Sequence, residues 1–143
     1  SSAAPAFPAS PPICPDATSF MIDRLFFDTN LLVYALDPAE PAKRARAVEL
    51  LRGAIARGAL MVSPQILNEC YRVITDKRRL LPRGAAQAYI GELVPFCLAP
   101  LDAMTTQLAF DVQERLGLSW WDSLVVASAI QGGADILLSE DIA

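Results

Sequence analysis

Short apolar runs alternate with longer stretches of helical period along most of this chain. Leu25-Phe26-Phe27 is a run suited to a strand buried on both faces. Residues 31–36, LLVYAL, predict a short helix that Asp37-Pro38 ends. A second helix is predicted over 41–57: Pro41 sits near its first turn, Ala45, Val48, Leu51 and Ile55 form one stripe, and Gly58 stops it. Residues 59–62, ALMV, predict the second strand. Ser63-Pro64 then reads as an N-cap with proline at the first helical position.

The helix expected over 64–79 points Ile66, Leu67, Cys70, Val73 and Ile74 inward. Glu69 lies about 100° from the centre of that stripe, at the edge of the buried face. Pro82 opens a further helix with Ala86, Tyr89, Ile90 and Leu93 in register, and residues 96–100 predict a weak strand. Asp102 caps a helix carrying Thr105, Leu108, Val112 and Leu116, closed by Gly117. Ser119 caps an apolar helix that ends at Gly132-Gly133, and residues 135–141, DILLSED, give the last strand signal. Strands alternate with helices, without hairpin signals such as Asn-Gly. This pattern predicts an α/β sandwich with a central parallel sheet. In such sheets ligands bind beyond the carboxyl ends of the strands, where Asp28 and the 139–141 segment fall.

Length and composition fit this plan. The 143 residues suffice for one domain, and 53% hydrophobic residues exclude a disordered chain. Residues 1–20 differ: they hold five of the eleven prolines and show no periodicity. We expect a disordered N-terminal extension or an upstream translation artefact, with Met21 as a sensible native start, and place the domain at 21–143. The extension lacks the basic start and apolar stretch of a secretory signal. No apolar run reaches the roughly 20 residues of a membrane span. Cys14, Cys70 and Cys97 are odd in number and widely spaced, which gives no disulfide framework or zinc site; Cys70 and Cys97 sit in apolar surroundings and read as core thiols of a cytoplasmic protein.

Charge narrows the chemistry. The net charge of −4 argues against binding nucleic acid by bulk positive charge. The basic residues nevertheless bunch into two groups. Lys43, Arg44, Arg46, Arg52 and Arg57 form one; Arg72, Lys77, Arg78, Arg79 and Arg83 form the other. There is no histidine, so imidazole catalysis, Ser-His-Asp and Cys-His nucleophiles and histidine zinc sites are excluded. Acid–base or metal chemistry must rest on carboxylates and water.

Four acids are candidates, and each has a plain structural alternative. Asp28 could be only a helix cap. Asp122 sits in a capping-box-like Ser119-x-x-Asp122. Glu69 could be a surface residue, although Val73 at the next turn offers it no ion pair. Asp141 could be a solvated loop acid, with Glu140 competing for its role. The neighbouring Trp120 and Trp121 read as packing residues. If such carboxylates converge, two unit charges about 5 Å apart at an effective dielectric of about 20 repel by about 3 kcal/mol. A cluster of four therefore needs a cation, and oxygen-only ligands select Mg²⁺ or Mn²⁺. Such ions clamp phosphates and activate water. A haloacid-dehalogenase-like site would need an acid where Asn30 stands. A response-regulator receiver would need a late lysine, whereas Lys43 and Lys77 are both early. A glycine-rich phosphate loop is absent.

Four segments in order, 26–37 (FFDTNLLVYALD), 63–73 (SPQILNECYRV), 118–129 (LSWWDSLVVASA) and 137–141 (LLSED), resemble the PIN-domain family, specifically VapC-type toxins. The resemblance runs from about Met21 to the end of the chain. It implies a three-layer sandwich around a parallel sheet and a Mg²⁺- or Mn²⁺-dependent endoribonuclease. Asp28, Glu69, Asp122 and Asp141 would form the acidic, metal-holding cluster, with Thr29, Asn30 and Ser139 orienting ligands or the attacking water. It further implies a homodimer, an RNA substrate and a small antitoxin whose tail occupies the acidic groove. Similar proteins continue past the SED segment into a last strand, which leads us to expect a C-terminal truncation here. The competing expectation is a catalytically inactive PIN-like module that binds a protein partner or RNA.

Overall fold

The computed structural model describes residues 23–140. The N-terminal extension and Asp141 lie outside these residues. The first apolar run forms β1 (Leu25–Phe27), with every residue buried. It is the central strand of a three-stranded sheet in the order β2-β1-β3. Both neighbours run parallel to it. Leu25 and Phe26 pair with Leu60 and Met61 of β2 (Leu60–Met61), and Leu25, Phe26 and Phe27 with Ile136, Leu137 and Leu138 of β3 (Ile136–Leu138). Burial on both faces explains why β1 and β2 are apolar without alternation.

Six α-helices connect and flank the strands. They are α1 (Thr29–Tyr34), α2 (Pro41–Ala56), α3 (Pro64–Arg72), α4 (Arg83–Leu93), α5 (Ala103–Leu116) and α6 (Trp120–Gln131). The expected α/β class and parallel sheet are present, and so is the last strand signal read in the sequence. The caps also follow the sequence. Ser63 and Ser119 accept backbone N–H bonds from Ile66 and Asp122, Asp102 forms a capping box with Thr105, and Gly117 ends α5 in the left-handed conformation (φ 66°).

Three details differ from the sequence expectations. In α2 Leu51 and Ile55 pack against the core as expected, but Ala47, Leu50 and Ala54 complete the inward stripe and Ala45 is exposed. Alanine-rich helices carry little apolar area on any face, so packing rather than pattern sets the rotation. The helix expected over 64–79 stops being α-helical at Arg72 and continues as a π-turn, Val73–Lys77. Residues 96–100 form no full strand: a 3₁₀ turn (Val94–Phe96) leads into a single parallel bridge between Cys97 and Val62.

The main core joins the sheet to α1, α3 and α4 through Phe26, Phe27, Leu32, Ile66, Cys70 and Ile74. Burial pushes the Cys70 thiol up to about 12, as befits a core thiol. It also raises the Tyr89 hydroxyl, which donates to the Leu32 carbonyl at 2.8 Å. A smaller cluster of Ala109, Val112, Leu124 and Ala127 holds α5 against α6. This pair is tied to the sheet by Ser128, whose hydroxyl donates to the Pro100 carbonyl, and by a close approach at Gly132. A Cβ on Gly132 would lie 2.9 Å from the backbone and side chain of Ala99 and 3.0 Å from the Met61 sulfur.

Among the described residues, Asp37 is the one buried acid far from the strand ends. It is 1% exposed, accepts the Ala39 N–H at 2.9 Å, and is ion-paired with Arg78. The π-turn and the left-handed Arg79 that follows it (φ 51°) carry Arg78 to this partner.

Two stability outcomes follow. Gly132→Ala should lower unfolding stability by about 1–3 kcal/mol in urea titration, because backbone must shift to admit the methyl. Arg78→Met should cost about 1–3 kcal/mol, since it leaves a buried carboxylate without its cation. Adding Asp37→Asn should recover part of that loss in a double-mutant cycle.

Candidate functional site

The register of β1 against β3 builds the first half of the site. Phe27 faces Leu138, so the next residues, Asp28 and Ser139, leave the sheet side by side. The Asp28 N–H extends the ladder by donating to the Leu138 carbonyl at 3.0 Å. Its side chain does two things. Oδ1 accepts the Thr29 N–H at 2.7 Å, capping α1, and Oδ2 accepts the Ser139 hydroxyl at 2.7 Å. The cap reading and a role for the outer carboxylate oxygen are therefore compatible.

The second half comes from α3 and α6. Glu69 is half-buried, at the edge of the α3 core face. Its Oε1 accepts the Thr29 hydroxyl at 3.0 Å, and its Oε2 accepts the Gln65 amide at 3.3 Å. Gln65 was missing from the sequence reading. It lies one turn before Glu69, is 7% exposed, and its amide also donates to the Trp121 carbonyl at 3.3 Å. The available signal was a polar residue on the apolar face of α3. Asp122 stands in the first turn of α6, where its backbone N–H donates to the Ser119 hydroxyl at 3.2 Å.

These elements converge. Asp28, Thr29, Asn30, Glu69 and Asp122 line one cleft of about 300 Å³, together with Val33, Tyr34, Val73 and Arg78. Thus three of the four expected acids and two of the three expected polar residues share one wall. Ser139 reaches the same place through its bond to Asp28. Glu140, the competitor of Asp141, turns away: it pairs with Lys43 at 3.0 Å and lines a neighbouring pocket with Arg46 and Tyr34. Its bond raises the Lys43 ammonium above its ordinary value. The tryptophans divide as well. Trp120 stacks on Phe110 at 5.3 Å between ring centres, as a packing residue should, whereas Trp121 is 63% exposed.

Among the described residues, no three acids or cysteines stand close enough together to hold one metal ion. The donor set is nevertheless chemically consistent with a hard cation. All donors are oxygens, and a carboxylate oxygen that accepts one hydrogen bond retains a second lone pair. Mg²⁺ commonly takes one or two carboxylates, keeps several waters and adds substrate phosphate oxygens. The cleft suits that mode of binding and does not form a closed protein cage. Arg78 lines the same cleft.

No curated protein sequence matches the chain. A family model, the PIN domain, matches residues 25–143, which include every strand, every helix and all the candidate acids. The chain therefore belongs to the PIN-domain family, a nuclease fold.

Proposed function

We propose that this protein is a Mg²⁺- or Mn²⁺-dependent endoribonuclease and the toxin of a type II toxin–antitoxin pair, of the VapC type. The observation that carries the reading is the cleft at the strand ends whose lining includes Asp28, Glu69 and Asp122, in a histidine-free protein. A divalent cation bound there supplies charge neutralisation at the scissile phosphate and a more acidic water. Asp28, Glu69, Asp122 and Asp141 are the residues that would hold it.

The protein's own groups prepare those ligands. Ser139 and the Thr29 N–H fix the two Asp28 oxygens, and Thr29 and Gln65 fix the two Glu69 oxygens. Such outer partners hold carboxylates in orientation before the ligand arrives. Asn30 lines the cleft and positions substrate or water. Arg78, anchored by Asp37, supplies the fixed positive charge. The substrate is RNA, the active form a homodimer in the cytoplasm, and the acidic cleft the place where the tail of a cognate antitoxin binds. The lack of a three-acid cluster among the described residues favours one alternative, an inactive PIN-like module. Calorimetric titration with Mn²⁺ separates the two, because an inactive module binds no ion at Asp28.

In the full-length protein, Asp28→Asn should abolish cleavage of total cellular RNA and growth arrest, with an unchanged circular dichroism spectrum. Ser139→Ala should lower cleavage roughly 10- to 100-fold. Chelation by EDTA should stop the wild type and added Mg²⁺ or Mn²⁺ restore it. Undiminished metal-dependent cleavage by Asp28→Asn would sink the assignment.

A further inference from the structure

A larger groove of about 600 Å³ adjoins the acid cleft and shares Thr29, Glu69 and Val73 with it. Its remaining walls include Trp121, Leu101, Asn68, Arg72 and Lys77. The volume is in the range of sites that enclose a small organic group.

Three observations give this groove a chemistry. The first is the indole of Trp121. It follows Trp120 by one residue, about 100° round α6, so Trp120 turns inward onto Phe110 while Trp121 stays 63% exposed on the groove wall. The second is charge. Arg72 and Lys77 make no ion pair among the described residues, unlike Lys43 of the neighbouring pocket, which Glu140 neutralises. In a continuous α-helix Lys77 would sit about 140° away from Arg72. The π-turn bonds i to i+5 and carries it round to the same groove. The third is Gln65, whose single amide holds both the Trp121 carbonyl and the Glu69 carboxylate. The indole-bearing turn and the acid cleft are therefore held at a fixed spacing. An exposed aromatic face beside unpaired cations is the equipment of single-strand recognition, where bases stack and phosphates are neutralised.

We propose that this groove is a nucleobase subsite. Trp121 stacks an unpaired base of the nucleotide adjoining the scissile phosphate, and Arg72 and Lys77 take the phosphates that follow it. The inference rests on the ribonuclease reading for its substrate. It adds a specificity-determining residue, Trp121, and explains why the π-turn interrupts α3. It also requires the substrate to be single-stranded at the cut, since a base held in a duplex stack is not available to the indole.

The test uses the full chain carrying Asp28→Asn, so that RNA is held uncut, and a fluorescein-labelled single-stranded RNA decamer with Mg²⁺, read by anisotropy. Trp121→Ala should weaken binding on the order of ten- to a hundredfold, and Trp121→Phe should restore most of it. An abasic site scanned along the decamer should reproduce the loss at one position, and cost nothing further there in Trp121→Ala. Lys77→Gln should reduce the slope of log affinity against log salt by about 1. Equal binding by Trp121→Ala, or an abasic penalty that persists in it, overturns the subsite. So does sedimentation showing that Trp121→Ala converts a dimer to a monomer with RNA affinity per chain unchanged, because the indole then serves an interface between copies. Parallel cleavage assays on the chain without Asp28→Asn keep the two readings apart. Cleavage with Trp121-independent binding removes only the subsite. Trp121-dependent binding without cleavage removes only the ribonuclease. Neither binding nor cleavage removes both.

Discussion

The parallel pairing of β1 with β3 is the contact on which the rest of this molecule depends. It buries Phe26 and Phe27 in the middle of the sheet, and its register alone decides that Asp28 and Ser139 emerge together. A slip of one residue would turn every side chain of β3 to the opposite face. It would also take the serine hydroxyl away from the Asp28 carboxylate. Site geometry and sheet stability are thus the same interaction seen from two ends, and the helices bring their acids to a place the strands have already defined.

Electrostatics then shapes what the sheet has positioned. Three carboxylates face one cleft, yet each of the two nearest the strand ends is held by neutral donors: N–H, hydroxyl and amide. Neutral donors orient an acid without cancelling its charge, so the cleft keeps its attraction for cations. The one arginine in the cleft is tied instead to Asp37. Other cations line neighbouring pockets, Lys43 and Arg46 one of them and Arg72 and Lys77 another. A polyanion can approach an acidic protein of this kind because its phosphates meet the flanks before the centre.

Much of this was legible in the sequence, for identifiable reasons. A buried strand must stop being apolar where it reaches solvent, so Phe27-Asp28 marks the end of β1. A helix period fixes how far each residue lies from the core face, so Glu69 could be placed at the edge. The fourth acid, Asp141, falls outside the described residues. What pattern could not supply were the features set by packing among equals. α6 is apolar nearly all round, so nothing in its sequence says which of Trp120 and Trp121 turns inward. α2 is rich in alanine, so its stripe keeps Leu51 and Ile55 but closes on Ala47 and Ala54 instead of Ala45. The π-turn after Arg72 and the bridging amide of Gln65 depend on contacts between α3 and elements distant in sequence, and short-range pattern carries no record of those.

The bond between Asp28 and Ser139 joins residues 111 positions apart. During synthesis Asp28 leaves the ribosome long before its partner has been made; at about 5–20 residues per second, 111 residues take on the order of ten seconds. In that interval β1 has no β3 beside it and the carboxylate has no serine. The nascent chain thus carries Asp28 through that interval without the hydrogen bond that fixes one of its oxygens, and this edge of the cleft waits for the 139 segment to be translated. The topology itself separates the synthesis of the first cleft residue from the completion of its surroundings.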